Sequence, residues 1–374
     1  MPCDDAIDGF PPTHGSHTTG TMVGDATAMG DTLLGMAPDA KWIGCRNMQD
    51  GFGTPASYTT CFEFFFAPYP QGGDPQTDGD VTRAPHVINN SWGCPPSEGC
   101  DVDTLRQVVE NVRAGGIFVA ASAGNEGWGG ACSTIANPIG LYDASFTVGA
   151  HDSSGSIADF SSRGPVTADG SNRLKPDISA PGVSVRSIGP ADGIDNWMSG
   201  TSMASPHVAG AVALLWSAVP VLRGDIDRTE QILIRSARPA PSAECESSGG
   251  SPNNVFGYGW LDVAAAIKLA ATPVTLTVKL RDAGNLPLTG VAVRIMDKYT
   301  RFHYPVQVTD PAGVVQWNPS QSDGLLFAGD YAMSAGCAGF VDEKNVSIKN
   351  SRTVTVTVAP ANARVCMWFP ELSR

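Results

Sequence analysis

Three short stretches of the chain set reactive side chains among glycines and small hydroxyl residues. The first is Thr13-His14-Gly15-Ser16-His17-Thr18-Thr19-Gly20-Thr21, whose small neighbours let an imidazole approach backbone and substrate closely. The second is Ala121-Ser122-Ala123-Gly124-Asn125-Glu126-Gly127, a carboxamide between glycines directly after an apolar run. The third, Ser199-Gly200-Thr201-Ser202-Met203-Ala204-Ser205-Pro206-His207-Val208-Ala209-Gly210, is a Gly-Thr-Ser turn that feeds into a helix of small residues. It puts Ser202 at a helix amino terminus, where free N–H groups stabilise negative charge. Each stretch alone has a plain structural reading: a packed histidine, a turn asparagine, a capping serine. An imidazole, a carboxamide and a hydroxyl beside an anion-stabilising helix end are together the equipment of nucleophilic catalysis.

The elements that must position these residues follow from the hydrophobic pattern. Lys41–Cys45, Pro85–Asn90, Ile117–Ser122 and Phe146–Ala150 read as strands. Pro55–Phe66, Asp103–Ala114, Ala204–Ala218 and Asp227–Ala237 read as helices, the second closed by Gly115-Gly116. Strands alternating with helices predict an α/β fold with a parallel sheet covered on both faces, and ligands bind at the carboxyl ends of such strands. Asn125 follows one of them. From about Pro273 the pattern changes to short alternating runs: Val274–Leu280, Val291–Met296, Val314–Trp317, Gly329–Ala335 and Thr353–Val358. The turn clusters Asp282-Ala283-Gly284-Asn285 and Asp310-Pro311-Ala312-Gly313 separate some of these runs. The expected organisation is a catalytic-type domain over residues 1–272 and a small β-sandwich over residues 273–374.

Composition narrows the function classes. The 374 residues carry 24 Lys plus Arg against 37 Asp plus Glu, a formal charge of −13 that disfavours binding to nucleic acid or an anionic membrane. Apolar residues at 42% suffice for a core, and 42 glycines with 28 prolines indicate a loop-rich globular chain. The apolar run Ala209–Leu222 falls short of the roughly 20 residues that a transmembrane helix needs. Nine cysteines without a CxxC pair favour disulfides in an oxidising compartment over zinc.

Taken together the three stretches resemble the subtilases, the subtilisin-like serine peptidases. His14-Gly15-Ser16-His17 is similar to the family's His-Gly-Thr-His motif, with Ser16 in the Thr place. Ala123-Gly124-Asn125-Glu126-Gly127 is similar to its oxyanion motif, and Gly200–Gly210 to its nucleophile motif. Further landmarks stand in family order: Gly35-Met36-Ala37-Pro38, Val87-Ile88-Asn89-Asn90-Ser91-Trp92-Gly93, Phe160-Ser161-Ser162-Arg163-Gly164-Pro165, Lys175–Gly182 and Gly257-Tyr258-Gly259-Trp260-Leu261-Asp262. Lys41–Cys61 and Cys94–Cys100 look closest to the bacillopeptidase F branch. The resemblance implies a catalytic His14 and Ser202, an oxyanion donor in Asn125, and substrate contacts from Ser91, Trp92, Gly93, Ser122, Ala123 and Gly124. It implies structural roles for His17 and His207, polypeptide substrates, a monomer and an extracellular location. No cofactor or metal ligand set is identified; structural calcium is compatible with the family.

One part of the pattern is missing. A subtilase triad runs Asp, His, Ser along the chain, the Asp at the end of a strand well before the His. Only thirteen residues precede His14, and Asp4, Asp5 and Asp8 lie between prolines and glycines with no apolar strand leading into them. The expectation is a chain that begins downstream of its Asp-bearing strand, signal and propeptide, and that is impaired as it stands. The alternative is a non-catalytic relative that binds peptides in the same cleft. Cys337 and Cys366, the two cysteines of the sandwich, are expected to pair, and Cys45 with Cys61. In the family's fold the loops carrying Cys94, Cys100 and Cys132 face each other, which implies one disulfide between two of these three. Cys3 is the expected orphan. The sandwich resembles the carboxypeptidase-regulatory or prealbumin-like modules of secreted enzymes, with a role in stability or anchoring.

Overall fold

A computed structural model describes residues 14–32, 35–49, 51–189, 196–318, 325–336 and 344–357. The chain divides into two compact units, Met1–Ala266 and Ile267–Arg374.

The first unit is built on a parallel sheet of four strands. They are β3 (Val87–Asn90), β4 (Phe118–Ser122), β5 (Phe146–His151) and β6 (Ile178–Pro181), in the order β3-β4-β5-β6. All three pairings are parallel, with Ile88 opposite Val119, Ala121 opposite Thr147 and Val148 opposite Ile178. Every residue of β4 and β5 is buried, the signature of a sheet covered on both faces. One face packs against α2 (Pro55–Phe66) and α3 (Arg106–Ala114), through a core that includes Tyr58, Phe62, Val109, Val112 and Val119. Across the sheet from these lies α4 (Thr201–Ala218), which is apolar nearly all round and largely buried. Short antiparallel ribbons, β1 (Met48–Gln49) with β2 (Phe52–Gly53) and β7 (Val185–Ser187) with β8 (Asn196–Met198), flank this frame.

Local sequence explains where the helices begin and end. Thr54 caps α2: its hydroxyl accepts the Ser57 N–H, Ser57 returns a bond to the Thr54 N–H, and Pro55 fills the first helical position. Gly116, at φ 80°, turns the chain from α3 into β4. His14–Val23 forms α1, a helix that its glycines and hydroxyls did not announce. α1 meets α4 at Gly210, where a Cβ would lie 2.4 Å from the Met36 Cβ and 3.2 Å from the Met22 carbonyl. α5 (Ile226–Ser236) and α6 (Val263–Ala271) complete the helices.

Lys41–Cys45 departs from the sequence reading: it is not a strand. A strand exists only through backbone pairing, and no described strand lies beside this stretch. Trp42 and Ile43 are instead 50% and 43% exposed.

The second unit holds two sheets, β11-β10-β13-β14 and β12-β9-β15. Their strands are β9 (Leu276–Arg281), β10 (Ala292–Asp297), β11 (Gln307–Val308), β12 (Val314–Trp317), β13 (Gly329–Ala335), β14 (Lys344–Ile348) and β15 (Arg352–Thr357). Leu276, Val278 and Leu280 of one sheet share a core with Val293, Ile295, Tyr331 and Met333 of the other. The strict alternation of burial along β9 is what the sequence pattern predicted. Cys337 and Cys366 lie outside the described residues.

Candidate active site

The site is assembled where β4 ends and α4 begins. Beyond Ser122 the chain enters Gly124 at φ 102° and then presents Asn125 on the surface. The Asn125 side chain is held by its oxygen. Oδ1 accepts the Thr201 N–H at 2.9 Å and the Thr201 hydroxyl at 3.0 Å, while that hydroxyl also lies 3.1 Å from the Gly124 carbonyl. With Oδ1 so engaged, the amide nitrogen Nδ2 is turned towards Gly200. A Cβ at residue 200 would lie 3.6 Å from Asn125 Nδ2 and 3.6 Å from the Ser202 N, so both nitrogens lie close to Gly200. Asn125 Nδ2 and the Ser202 N thus both flank Gly200 at the start of α4, where backbone donors are available to an anion.

Ser202 is the second residue of α4, and its hydroxyl lies 3.2 Å from the Ser91 carbonyl. Pro206 explains a companion contact. Lacking an N–H, it cannot bond the carbonyl four residues back, which is that of Ser202. The freed carbonyl accepts the Ser91 hydroxyl at 2.7 Å. Asn89 extends the network, donating to Ser91 Oγ at 2.9 Å and accepting from Ser205 at 2.8 Å. The end of β3 is thereby tied to the first turn of α4.

Ser91 and Trp92 line a cavity along β3, and Gly93 follows them. Trp92 stacks on Tyr58, ring centroids 4.1 Å apart and planes within 6°. The Tyr58 hydroxyl donates to Glu98 at 2.6 Å, and burial together with that carboxylate raises its pKa. The Cys94–Cys100 disulfide closes the loop beyond Gly93, and the Cys94 N–H bonds the Pro138 carbonyl at 2.8 Å. Ser122 and Ala123 are buried, and Gly140 packs so tightly against the Ser122 carbonyl that a Cβ there would approach to 2.6 Å. Glu126 is drawn to Ser162, whose hydroxyl donates to its carboxylate at 2.8 Å and accepts its N–H at 3.0 Å. The Cys132–Cys245 disulfide and the Arg163–Glu244 ion pair anchor the same loop from behind.

His14 opens α1 and is partly buried. It shares with Ser91 and Trp92 the wall of a cavity of about 990 Å³ that runs along β3. Asp4, Asp5, Asp8 and Cys3 lie outside the described residues. His17 and His207 are held away from the cleft by backbone contacts, His17 Nε2 to the Val185 carbonyl at 2.9 Å and His207 Nδ1 to that of Met203 at 2.8 Å. Burial lowers the pKa of both. His151, at the carboxyl end of β5, is lowered to about 4 by burial and by the nearby His207.

The structure thus joins Ser202 directly to Ser91, and Asn125 to Thr201, the residue before Ser202. The sequence reading did not single out Thr201, Pro206 or Ser162 as positioning residues. The signal was present in part, since Thr201 and Pro206 stand inside the nucleophile motif. The Cys45–Cys61 and Cys94–Cys100 disulfides agree with the expectation; the partnership of Cys132 with Cys245 had not been assigned. Among the described residues no group of three or more His, Cys, Asp or Glu could hold a metal, and no helix is long and apolar enough to cross a membrane.

Comparison with known proteins places this geometry in context. Residues 5–259 match the Subtilase family. Bacillopeptidase F of Bacillus subtilis (strain 168) is 39% identical over 256 residues, which are 68% of this chain and 17% of that protein. Subtilisin DY of Bacillus licheniformis is 36% identical over 210 residues, 56% of this chain and 65% of that protein. The chain therefore spans less than two thirds of either relative. Among solved structures, the patellamide maturation protease PatA is 27% identical with a TM-score of 0.52, covering 72% of this chain and 88% of its own.

Proposed function

The chain belongs to the subtilase family, and on that premise we propose that it is a secreted serine endopeptidase acting through an acyl-enzyme on Ser202. The observation that supports the reading is that Asn125 Nδ2 and the Ser202 N both flank Gly200 at the amino terminus of α4. Ser202 Oγ attacks the scissile carbonyl while His14 takes its proton. The carbonyl oxygen, now carrying the negative charge, moves towards these two donors. His14 then protonates the departing amine. Water repeats the sequence in reverse roles and frees the acid product and Ser202. The acid that orients His14 is assigned to no residue of this chain.

The substrate would lie extended along Ser91-Trp92-Gly93 and pair by β-augmentation. Ser122, Ala123 and Gly124 would line the pocket for the side chain before the scissile bond. Three disulfides in the first unit favour an oxidising compartment, in keeping with action outside the cell.

The test is covalent labelling by a fluorophosphonate, which reports an activated serine directly. Ser202→Ala is expected to abolish labelling. Ser205→Ala, whose hydroxyl is spent on Asn89, is expected to retain it. Undiminished labelling of the Ser202→Ala protein would overturn the assignment.

A further inference from the structure

A second cavity, of about 360 Å³, lies at the other end of the parallel sheet from Asn125. It is lined by Phe146, the first residue of β5, and by Asp177, which directly precedes β6. It therefore sits at the amino ends of these strands, whereas Asn125 follows the carboxyl end of β4. Helix α3 contributes Glu110 and Arg113, and α5 contributes Glu230 and Ile234. The volume is at the small end of the range for ligand pockets. His14, Asn125 and Ser202 have no part in it.

Charge around this cavity is unbalanced. Glu110, Asp143, Asp177 and Glu230 line it with Arg113 as the one lining cation. Arg113 is already committed, since its Nη2 donates to Glu230 at 2.9 Å and to Asp227 at 2.6 Å. The buried Lys175 donates to Asp177 at 2.6 Å and to the Ser145 carbonyl at 2.7 Å. In spite of these bonds the Glu230 carboxyl is raised above its usual range, by burial first and by the nearby Asp177 as well. Further positive charge would stabilise a carboxylate in that position.

Ser145 supplies an independent sign of a ligand. It lines the cavity and is 1% exposed, and its hydroxyl has no hydrogen-bond partner in the protein. Native proteins rarely leave a buried hydroxyl so, because its desolvation goes uncompensated. A ligand rich in N–H donors would serve this hydroxyl and the carboxylates together, each carboxylate oxygen having room for a second bond. A bare metal ion does not fit, because among the described residues no three His, Cys, Asp or Glu are grouped to hold one. Ala144, Phe146 and Ile234 also line the cavity and suit a hydrocarbon chain.

We infer that this cavity binds a primary ammonium group carried on an alkyl chain, as in a diamine or a lysine side chain. The ammonium donates to the Ser145 hydroxyl and serves Asp177 and Glu230 as counter-charge, while Phe146 and Ile234 cover the methylenes. The site is independent of the peptidase reading and stands if that reading fails.

The experiment is calorimetric titration of cadaverine into the full 374-residue chain at constant ionic strength. A saturable heat is expected, and the unfolding temperature should rise with cadaverine concentration. Nα-acetyl-lysine amide carries the same head group on a peptide unit. Binding confined to cadaverine points to a free diamine, binding of the lysine amide points to a lysine side chain, and either supports the site. Tetramethylammonium has the charge without an N–H and should do no more than sodium chloride. Ser145→Ala removes a hydroxyl that bonds nothing in the protein, so the variant should keep its fold while its affinity for cadaverine falls about tenfold. Asp143→Arg, at a side chain 86% exposed, adds positive charge to the lining and should weaken binding as well. No saturable heat with either amine, an equal response to tetramethylammonium, or unchanged affinity in Ser145→Ala would overturn the inference.

Discussion

On the Asn125 side of the cleft, the polar groups that shape the site are held by other segments. Thr201 holds the Asn125 oxygen, Ser162 holds Glu126, and Cys132 is bonded to Cys245. On the His14 side, the wall is a helix beside a cavity of about 990 Å³ along β3, which among the described strands pairs with β4 alone. Both sides carry motif residues; the first is held by side-chain bonds between segments, the second by a helix tied to β7 through His17 and Ser187. The difference follows from how far each side reaches for its partners. Asn125 and Ser202 leave adjacent structures, the end of β4 and the start of α4, whose residues bond one another. The His14 side rests on α1, which packs against α4 at Gly210. A motif can specify the geometry of its own residues and leave the wall opposite to tertiary packing.

The largest expected effect tests whether both sides serve one reaction. In a chain that turns over substrate, His14→Ala should lower kcat by about 10⁶-fold, the loss that removal of the base causes in subtilisin. Asn125→Ala should cost less, about 10² to 10³ in kcat with KM nearly unchanged, since its amide bonds the oxyanion and not the ground-state carbonyl. Steady-state kinetics of the two variants check this ordering. An Asn125→Ala protein with a raised KM and an intact kcat would show that Asn125 binds substrate without stabilising the transition state.

The same contrast accounts for what could be read in the sequence. β4, β5 and the body of α4 were legible because apolar runs of the right length have few alternatives, and Pro55–Phe66 carried its own start signal in Thr54 and Pro55. In the second unit β9, β12 and β13 followed from alternation, while the short β11 and the polar β14 carried too weak a period. Lys41–Cys45 has strand composition and failed for want of a neighbour, which is a property of the sheet and not of the segment. α1 was missed because glycine and β-branched threonine are poor helix formers, and its packing on α4 at Gly210 overrides that preference. Among the site residues, Ser202, Asn125 and His14 could be named from motifs. Thr201's hold on Asn125 could not, because it joins segments 76 positions apart.

A third prediction uses the buried histidine at the carboxyl end of β5. His151 has its folded pKa lowered from 6.5 to about 4, so the folded protein favours the neutral ring. As pH falls through 6.5 the unfolded chain takes up a proton first, and stability declines from there to about pH 4; above 6.5 the contribution is complete. For a residue only 8% exposed this displacement is worth about 3 kcal/mol. His207 and His17 are lowered as well and act in the same direction. Denaturant unfolding between pH 7 and pH 4 should show the decline, and His151→Gln should flatten it. Equal slopes in the two proteins would place the acid sensitivity elsewhere, for instance in His207, whose pKa burial also lowers.

The smallest expected effect concerns the hydroxyl that joins the two sides. Ser91 donates to the Ser202 carbonyl, a group that Pro206 prevents the helix from satisfying. Ser91→Ala deletes the donor and leaves an acceptor in the first turn of α4 without its protein partner, at a cost of about 1–3 kcal/mol. Pro206→Ala restores an N–H four residues after Ser202 and so supplies a substitute within the helix. The double variant should therefore recover part of what Ser91→Ala loses. The two changes are made in residues that share one carbonyl, so their effects should not add. A double-mutant cycle read by denaturant unfolding measures the coupling directly. Strict additivity would mean that the Ser202 carbonyl is satisfied by solvent, and that the end of β3 is tied to α4 by the Asn89–Ser205 contact instead.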